Sequence, residues 1–529
     1  MAKNDLRIDI LGTVINITTD EDSEYLNKLL EKYRRTIENV QHLSGIKDPL
    51  QTAVLTGFLL SDDLEKARNA GQAGQKAEQC FEESAEAERL TLGMISRLDG
   101  LKIDTNMVPG TVYNGTVYKL ENQVKNYDWG SPEWIPALLG QENPSRIPWA
   151  ELWLGVNAAG PSRAIQPCES EGGSSSPLLS ELISLDRETL LGKPCAEKYG
   201  NLPFLFKIIA VAKPLSIQAH PSSEQALEGF NRENSEGLSL SAANRNYRDP
   251  RHKPELICAL SPFAALCGFR NRLEICSILE ALIQVSDVAI KASLENLISA
   301  LSQYDENPYK AFLSALFSMD SNGMGPFIIK RQALLERNFP EYLGEWKLCS
   351  YLASLYPGEI SGSADPGILA PLFMNIIELK AGEAMYIPTG VVHAYIHGMG
   401  IELMADSDNV LRAGLTAKHI DREELSRILD FSEFKPEILK TPAPPPSRFS
   451  YPSRYEEFTL SVLKSQGEPL SYYETGPSII LVTRGSLSIS EGARPALEMK
   501  TGDSAFIPAG KNLGFSGNFN ACAAACRYS

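Results

Sequence analysis

Apolar residues at Leu6, Ile8 and Ile10, and again at Ile15 and Ile17, alternate with polar ones on either side of Gly12 and Thr13. A period of two flanking a turn predicts two short strands. From Leu26 the period changes: Leu26, Leu29, Leu30, Tyr33, Ile37 and Val40 recur at helical spacing until Ser44 and Gly45 stop them. Asp48 and Pro49 then supply an N-cap and a first-turn proline for a second, very long helical segment running towards Leu98, with weak points at Gly71 and Gly74. A strand pair with one medium and one very long helix cannot bury both helices alone. Pairing with another copy through the long helix is the expected remedy.

Residues 101–116, with Pro109, Gly110, Asn114 and Gly115, have no long period and read as a linker. Beyond them come many short strand-like runs separated by Gly and Pro, among them ELICAL, AALCGF, NIIELK, AMYIP, SIILVTRGSLSI and SAFIPAG. Between 270 and 356 this rhythm gives way to helical stretches, including EICSILEALIQVSDVAIKASLENLISALS. The proline-dense stretch from Leu439 to Arg454 reads as an extended connector. LKAGEAMYIPTGVVHAY (379–395) and MKTGDSAFIPAGKNLGF (499–515) share one plan: a turn with Gly and an acid, a strand ending in Ile-Pro, then another turn. The fold class expected is mainly β, with duplicated cupin-type barrels or jelly rolls and an α-helical insertion, behind a small α+β region with a long coiled-coil helix. The expected domains are 1–100, then 117–269 with 357–438 as a catalytic barrel, 270–356 as the insertion, and 439–529 as a last β unit.

Composition narrows the partners. A formal charge of -16 and a pI near 5.1 argue against nucleic acid or an anionic membrane, both of which require a basic face. An anionic sugar phosphate remains compatible, since a few local Lys and Arg residues suffice. No run of 18 apolar residues and no secretory-type start appear, so a cytoplasmic location is expected. Nine cysteines, odd in number and without a C-x-x-C pair, read as reduced thiols rather than a zinc-thiolate site. A metal here would need other ligands.

Six histidines supply candidates. Gln218 and His220 lie two apart in SIQAHPS, and in a strand that spacing sends both side chains to one face. Glu255 opens ELICAL, and His393 follows the IPTGVV turn. Two imidazoles, a carboxylate and an amide oxygen form a mixed N/O set suited to zinc or another divalent first-row ion. A lone His in a β-rich domain is more often a hydrogen-bonded structural residue, so these positions acquire meaning only together.

Together, YKLENQVKNYDWGS, SIQAHPS, NYRDPRHKPELICAL and YIPTGVVHAYIHGMGIELMADSDNVLRAGLT closely resemble the type I phosphomannose isomerases, over residues 117–529 and in family order. The resemblance implies one zinc per catalytic domain, held by Gln218, His220, Glu255 and His393. It implies an aldose-ketose isomerase acting on a hexose 6-phosphate, with mannose 6-phosphate and fructose 6-phosphate as the expected pair. Glu402, Asp408 and Lys253 become candidates for proton transfer, and Arg412 for binding phosphate or enediolate oxygens. Ser216, Lys207 and Lys418 are further candidates for the phosphate. His252, His397 and His419 are left as supporting or structural. Two positions depart from the family pattern: Asn157 stands where a histidine is usual, and Asp406 precedes SDN where Asn is usual; the added charge of Asp406 is expected to shift pH dependence.

The competing reading is a non-catalytic, sugar-phosphate-sensing cupin on a division scaffold. A second, nucleotidyl-transferring activity would need a Gly-rich nucleotide loop ahead of the barrel, and none is present. At the front, LRIDILGTVINI, DSEYLNKLLEKYRRTIENV and DPLQTAVLTGFLLSDDLEKAR resemble the ZapA family of division-ring proteins over residues 5–100. That resemblance implies a coiled-coil homo-oligomer that bundles FtsZ filaments. The alternative is an oligomerisation arm with no division role.

Overall fold

The computed structural model describes residues 4–10, 13–19 and 117–528, apart from 166–175, 241, 303–306, 320–322, 357–364 and 493–495. The chain divides into two compact units, Met1–Val112 and Tyr113–Ser529. In the first, Asn4–Ile10 pairs antiparallel with Thr13–Thr19, with Leu6 opposite Ile17 and Ile8 opposite Ile15, as the alternation predicts. The helices expected over 26–40 and 48–98 and the linker over 101–116 lie outside the described residues, as do Cys80, Cys168 and His42.

The second unit is built on two antiparallel sheets, one of eleven strands and one of ten. The strand Phe204–Val211 explains how they pack. It is buried on both faces: Phe204, Phe206, Ile208 and Ala210 join the core shared by both sheets, while Ile209 and Val211 fill the interior of the first barrel. The period of two therefore sends Lys207 inward as well. Glu255–Ala259 behaves alike, with Leu256 and Cys258 between the sheets and Ile257 and Ala259 inside, so Glu255 faces the interior.

The long strand His393–Ala405 organises the first sheet. Its first half pairs with Phe263–Phe269, and its second half with Phe204–Val211 and Glu255–Ala259. The corner falls at Gly398, at φ +126°, where a Cβ would lie 2.6 Å from the Pro262 carbonyl oxygen and 2.7 Å from the Phe263 Cα. Only glycine tolerates that approach and that backbone. One strand thus delivers His393 on one side of the bend and Glu402 on the other.

The insertion consists of helices Arg272–Ile283, Val288–Leu301, Pro308–Ser318, Met324–Asn338 and Leu343–Leu355. The first two are separated where Asp287 caps the second by accepting from the Ile290 N–H at 3.1 Å. Their apolar faces pack with Leu266, Phe269, Met374, Ala394 and Ile396 of the sheet. The proline-dense connector is stitched at both ends: Leu439–Lys440 pairs with Glu383 and Ala384, and Arg448–Ser450 with Ser461–Leu463. The second sheet also takes two strands from far upstream, Tyr118–Glu121 against Ser504–Phe506 and Arg163–Ile165 beside it. No helix among the described residues is long and apolar enough to cross a membrane.

Candidate active site

Three side chains converge inside the first barrel. His220 directly follows the short strand Ile217–Ala219, Glu255 begins its strand, and His393 begins the long one; all three are buried. One ligand atom from each lies within 4.8 Å of the others. His220 Nε2 is 3.1 Å from Glu255 Oε1, and His393 Nε2 is 3.3 Å from Glu255 Oε2. Yet neither ring Nε2 has a hydrogen-bond partner, and Glu255 Oε1 has none beyond its ion pair with Lys253 Nζ at 3.2 Å. Leaving buried polar atoms unsatisfied costs about 1–3 kcal/mol each, more when charged, so such a cluster requires an explanation.

The far side of each ring supplies it. His220 Nδ1 lies 2.7 Å from the Asn409 carbonyl oxygen and His393 Nδ1 3.0 Å from that of Val391. A carbonyl only accepts, so each Nδ1 carries the proton and each Nε2 presents a bare lone pair. Two lone pairs and a carboxylate oxygen facing one point cannot bond to one another, but they can share a cation. Tetrahedral zinc with bonds near 2.0–2.1 Å sets neighbouring ligand atoms roughly 3.3 Å apart, close to the separations seen here. Gln218 stands directly across the ladder from both His393 and Arg412, the position from which an amide oxygen could complete the set. The donor set fits zinc.

Electrostatics reinforce the arrangement. Burial, followed by the Lys253 charge, pushes His220 down to about 4, so the ring is neutral near pH 7. Burial alone would raise Glu255, but the His220 ring and the Lys253 ammonium at 3.2 Å outweigh it and hold the carboxyl well below its usual range. Glu402, on the same inward face, moves the other way: burial first, then the Glu255 and Glu151 charges, raise it despite Lys207.

Lys207 Nζ donates to Glu402 Oε2 at 2.9 Å, with Glu151 Oε1 3.8 Å away. Burial works against the Lys207 charge, but the Glu151 and Glu402 carboxylates prevail and raise its pKa. Trp153 roofs this triad, donating from Nε1 to Glu151 Oε2 at 2.6 Å with the Lys207 ammonium 5.1 Å from its ring. Lys207 is therefore paired with carboxylates, and Ser216 and Asp408 are half-buried at the ends of neighbouring strands.

Sequence reasoning missed a neighbour of Arg412. Burial and then the positive charge of Arg248 lower Arg412, while burial, Arg412 and Arg248 lower Lys418. These three cations repel one another, and none pairs with a carboxylate among the described residues. Arg248 lies in the NYRDPRHKPE run already singled out, where a charged residue among charged residues reads as solvated surface. The other histidines stay apart from the cluster: His252 meets Glu457 at 3.1 Å, His397 packs edge-on against Trp134, and His419 is exposed. The two departures from the family pattern meet each other, with Asn157 Nδ2 donating to Asp406 Oδ1 at 2.9 Å. A cleft of about 270 Å³ lined by Trp134, Ser261, Pro262, His397 and Met399 holds none of the ligand atoms.

Known proteins resemble both parts of the chain. Residues 117–272 match the family described as phosphomannose isomerase type I, catalytic domain, and residues 6–96 match the cell division protein ZapA family. The mannose-6-phosphate isomerase of Escherichia coli K12 is 36% identical over 397 residues, covering 74% of this chain and 95% of that protein. The human enzyme of the same name is 33% identical over 359 residues, covering 64% of this chain and 77% of that protein. A crystal structure of the Salmonella typhimurium mannose 6-phosphate isomerase with fructose 6-phosphate and zinc superposes with a TM-score of 0.59 at 30% identity, covering 78% of this chain and 100% of that one. The chain therefore belongs to the type I mannose-6-phosphate isomerase family of aldose-ketose isomerases, and carries a ZapA-like segment ahead of its catalytic part.

Proposed function

We propose that the chain interconverts D-mannose 6-phosphate and D-fructose 6-phosphate, with one zinc ion held by Gln218, His220, Glu255 and His393. The observation that carries this reading is the convergence of ligand atoms from His220, Glu255 and His393, with both ring Nε2 atoms left without a hydrogen bond. When bound, the ion supplies Lewis-acid stabilisation of the oxyanion that forms as the proton leaves carbon 2, worth several kcal/mol.

The chain's own residues do the rest. Arg412, Arg248 and Lys418 form an unpaired cationic patch that suits the dianionic phosphate, and Ser216 near the Gln218 strand can add a hydroxyl. Lys207, locked to Glu402, serves the site by holding that carboxylate rather than by binding phosphate. Proton transfer between carbons 1 and 2 needs a base. Asp408 is half-exposed and free to meet substrate, while Glu402 is buried with a raised affinity for protons. Lys253 stands 3.2 Å from Glu255 and can support the developing oxyanion.

The catalytic barrel is assigned to 117–269 and 357–438, the helical insertion to 270–356 and the last β unit to 439–529, with Tyr118–Glu121 and Arg163–Ile165 lent to the last unit. The ZapA-like region, residues 1–100, is assigned the role of a homo-oligomerisation arm, through the long helix expected from its sequence, with FtsZ as the candidate partner. A sugar-sensing role without turnover is disfavoured by the survival of the whole ligand set beside the cationic patch.

An enzyme-linked assay for fructose 6-phosphate, run beside zinc analysis of the purified protein, tests the assignment. The expected result is turnover that disappears together with bound zinc in His393→Ala. Full turnover by a zinc-free His393→Ala protein would refute it, and a zinc-loaded wild-type protein with no turnover would favour the sensor.

A further inference from the structure

The carbonyl that fixes the His220 tautomer belongs to Asn409, and the loop holding that carbonyl is unusually well tied. Asn409 is fully buried. Its Oδ1 accepts from the Arg248 and Asp249 N–H groups at 2.8 and 3.3 Å, and its Nδ2 donates to the Asp249 and Arg251 carbonyls at 2.8 and 2.9 Å. Asp249 returns the grip: its Oδ2 accepts from Ser407 Oγ at 3.1 Å and from the Asp408 N–H at 2.8 Å, and its Oδ1 from the Arg251 N–H at 3.0 Å. Asn409 and Asp249 thus clasp segments 407–409 and 248–251, which are far apart in sequence. The upstream end of the first segment is pinned too, by Asn157 on Asp406 and by the Asp406 N–H on the Pro203 carbonyl at 3.0 Å.

We infer that the Asn409–Asp249 clasp is a positioning device, which sets the direction and tautomer of His220 through the Asn409 carbonyl. The inference rests on reading His220 as a metal ligand. Its physical basis is that an acceptor at Nδ1–H biases a neutral imidazole towards the tautomer with a bare Nε2 and fixes the ring's direction, and a main-chain acceptor is only as well placed as its loop. No side-chain substitution can delete that carbonyl, but loosening the clasp lets it drift. Nothing else among the described residues accepts from His220 Nδ1.

The full-length protein tests this. Zinc affinity is measured by competition with a fluorescent chelator for wild type, Asn409→Ser, Asp249→Asn and the milder Ser407→Ala, alongside circular dichroism to verify folding. The histidine side chains, labelled with nitrogen-15, report the tautomer of His220 in zinc-free protein. The expected result is zinc binding weaker by roughly 10- to 100-fold in folded variants, with a mixed His220 tautomer and turnover largely recovered at saturating zinc. A purely structural clasp would lower thermal stability but leave zinc affinity within twofold and the tautomer unchanged, which overturns the inference. Ser407→Ala carries the test should the other two fail to fold. Wild-type protein that binds no zinc would instead overturn the metal site itself.

Discussion

Burial and the Lys253 charge, not the facing carboxylate, keep the His220 ring from taking up a proton. His220 is held near 4 when folded and titrates near 6.5 when unfolded, so between those values the unfolded chain binds more protons. Stability of zinc-free protein therefore falls as pH drops from about 6.5 towards 4, by up to roughly 1.4 kcal/mol per pH unit from this group. Urea unfolding at pH 7 and pH 5 reads it, and His220→Asn should flatten the difference. At the cationic patch, Arg412→Lys is expected to raise KM for the sugar phosphate about tenfold, because an ammonium replaces a two-pronged guanidinium. Arg248→Ala should raise KM several-fold while zinc content stays at the wild-type level; an unchanged KM would remove Arg248 from the phosphate subsite. The converging trio was legible in the sequence because His220, Glu255 and His393 act through side chains of telling type and spacing. Asn409 was not, because its contact with His220 is made by a main-chain oxygen, which every residue possesses.

At the scale of elements, the strand His393–Ala405 does two jobs because it bends. Gly398→Ala would force a Cβ to within 2.6 Å of the Pro262 carbonyl at a φ that L side chains rarely adopt. We expect a loss of roughly 2 kcal/mol or more in unfolding free energy, read from the denaturation midpoint, together with weaker zinc binding as His393 shifts against Glu255. The buried pair Lys207–Glu402 makes a sharper prediction. Lys207→Met leaves Glu402 buried without its partner and should cost about 3–5 kcal/mol. The two front strands were readable from their alternation, several later ones as short runs between Gly and Pro, and the helical insertion from its period, whereas Phe204–Val211, buried on both faces, shows no alternation. Legibility failed at partner choice: nothing in YKLE indicates that Tyr118–Glu121 pairs with Ser504–Phe506, because pairing across such a distance is decided by the assembled core and not by local pattern.

For the whole molecule, the division at Val112 and Tyr113 predicts separable labour. A chain starting at Tyr113 should keep zinc and turnover per active site while losing the higher oligomer by light scattering; an unchanged oligomeric state would remove the front segment as the assembling arm. The pairing of Tyr118–Glu121 with Ser504–Phe506 has a consequence in time. The ribosome releases the early strand long before its mate exists, and at about 5–20 residues per second the wait lasts roughly 20–80 seconds. During that interval an apolar edge is available to any other nascent chain, so expression yield should depend on holdase chaperones, and a premature stop anywhere before residue 504 would strand the beginning of the enzyme as well as its end.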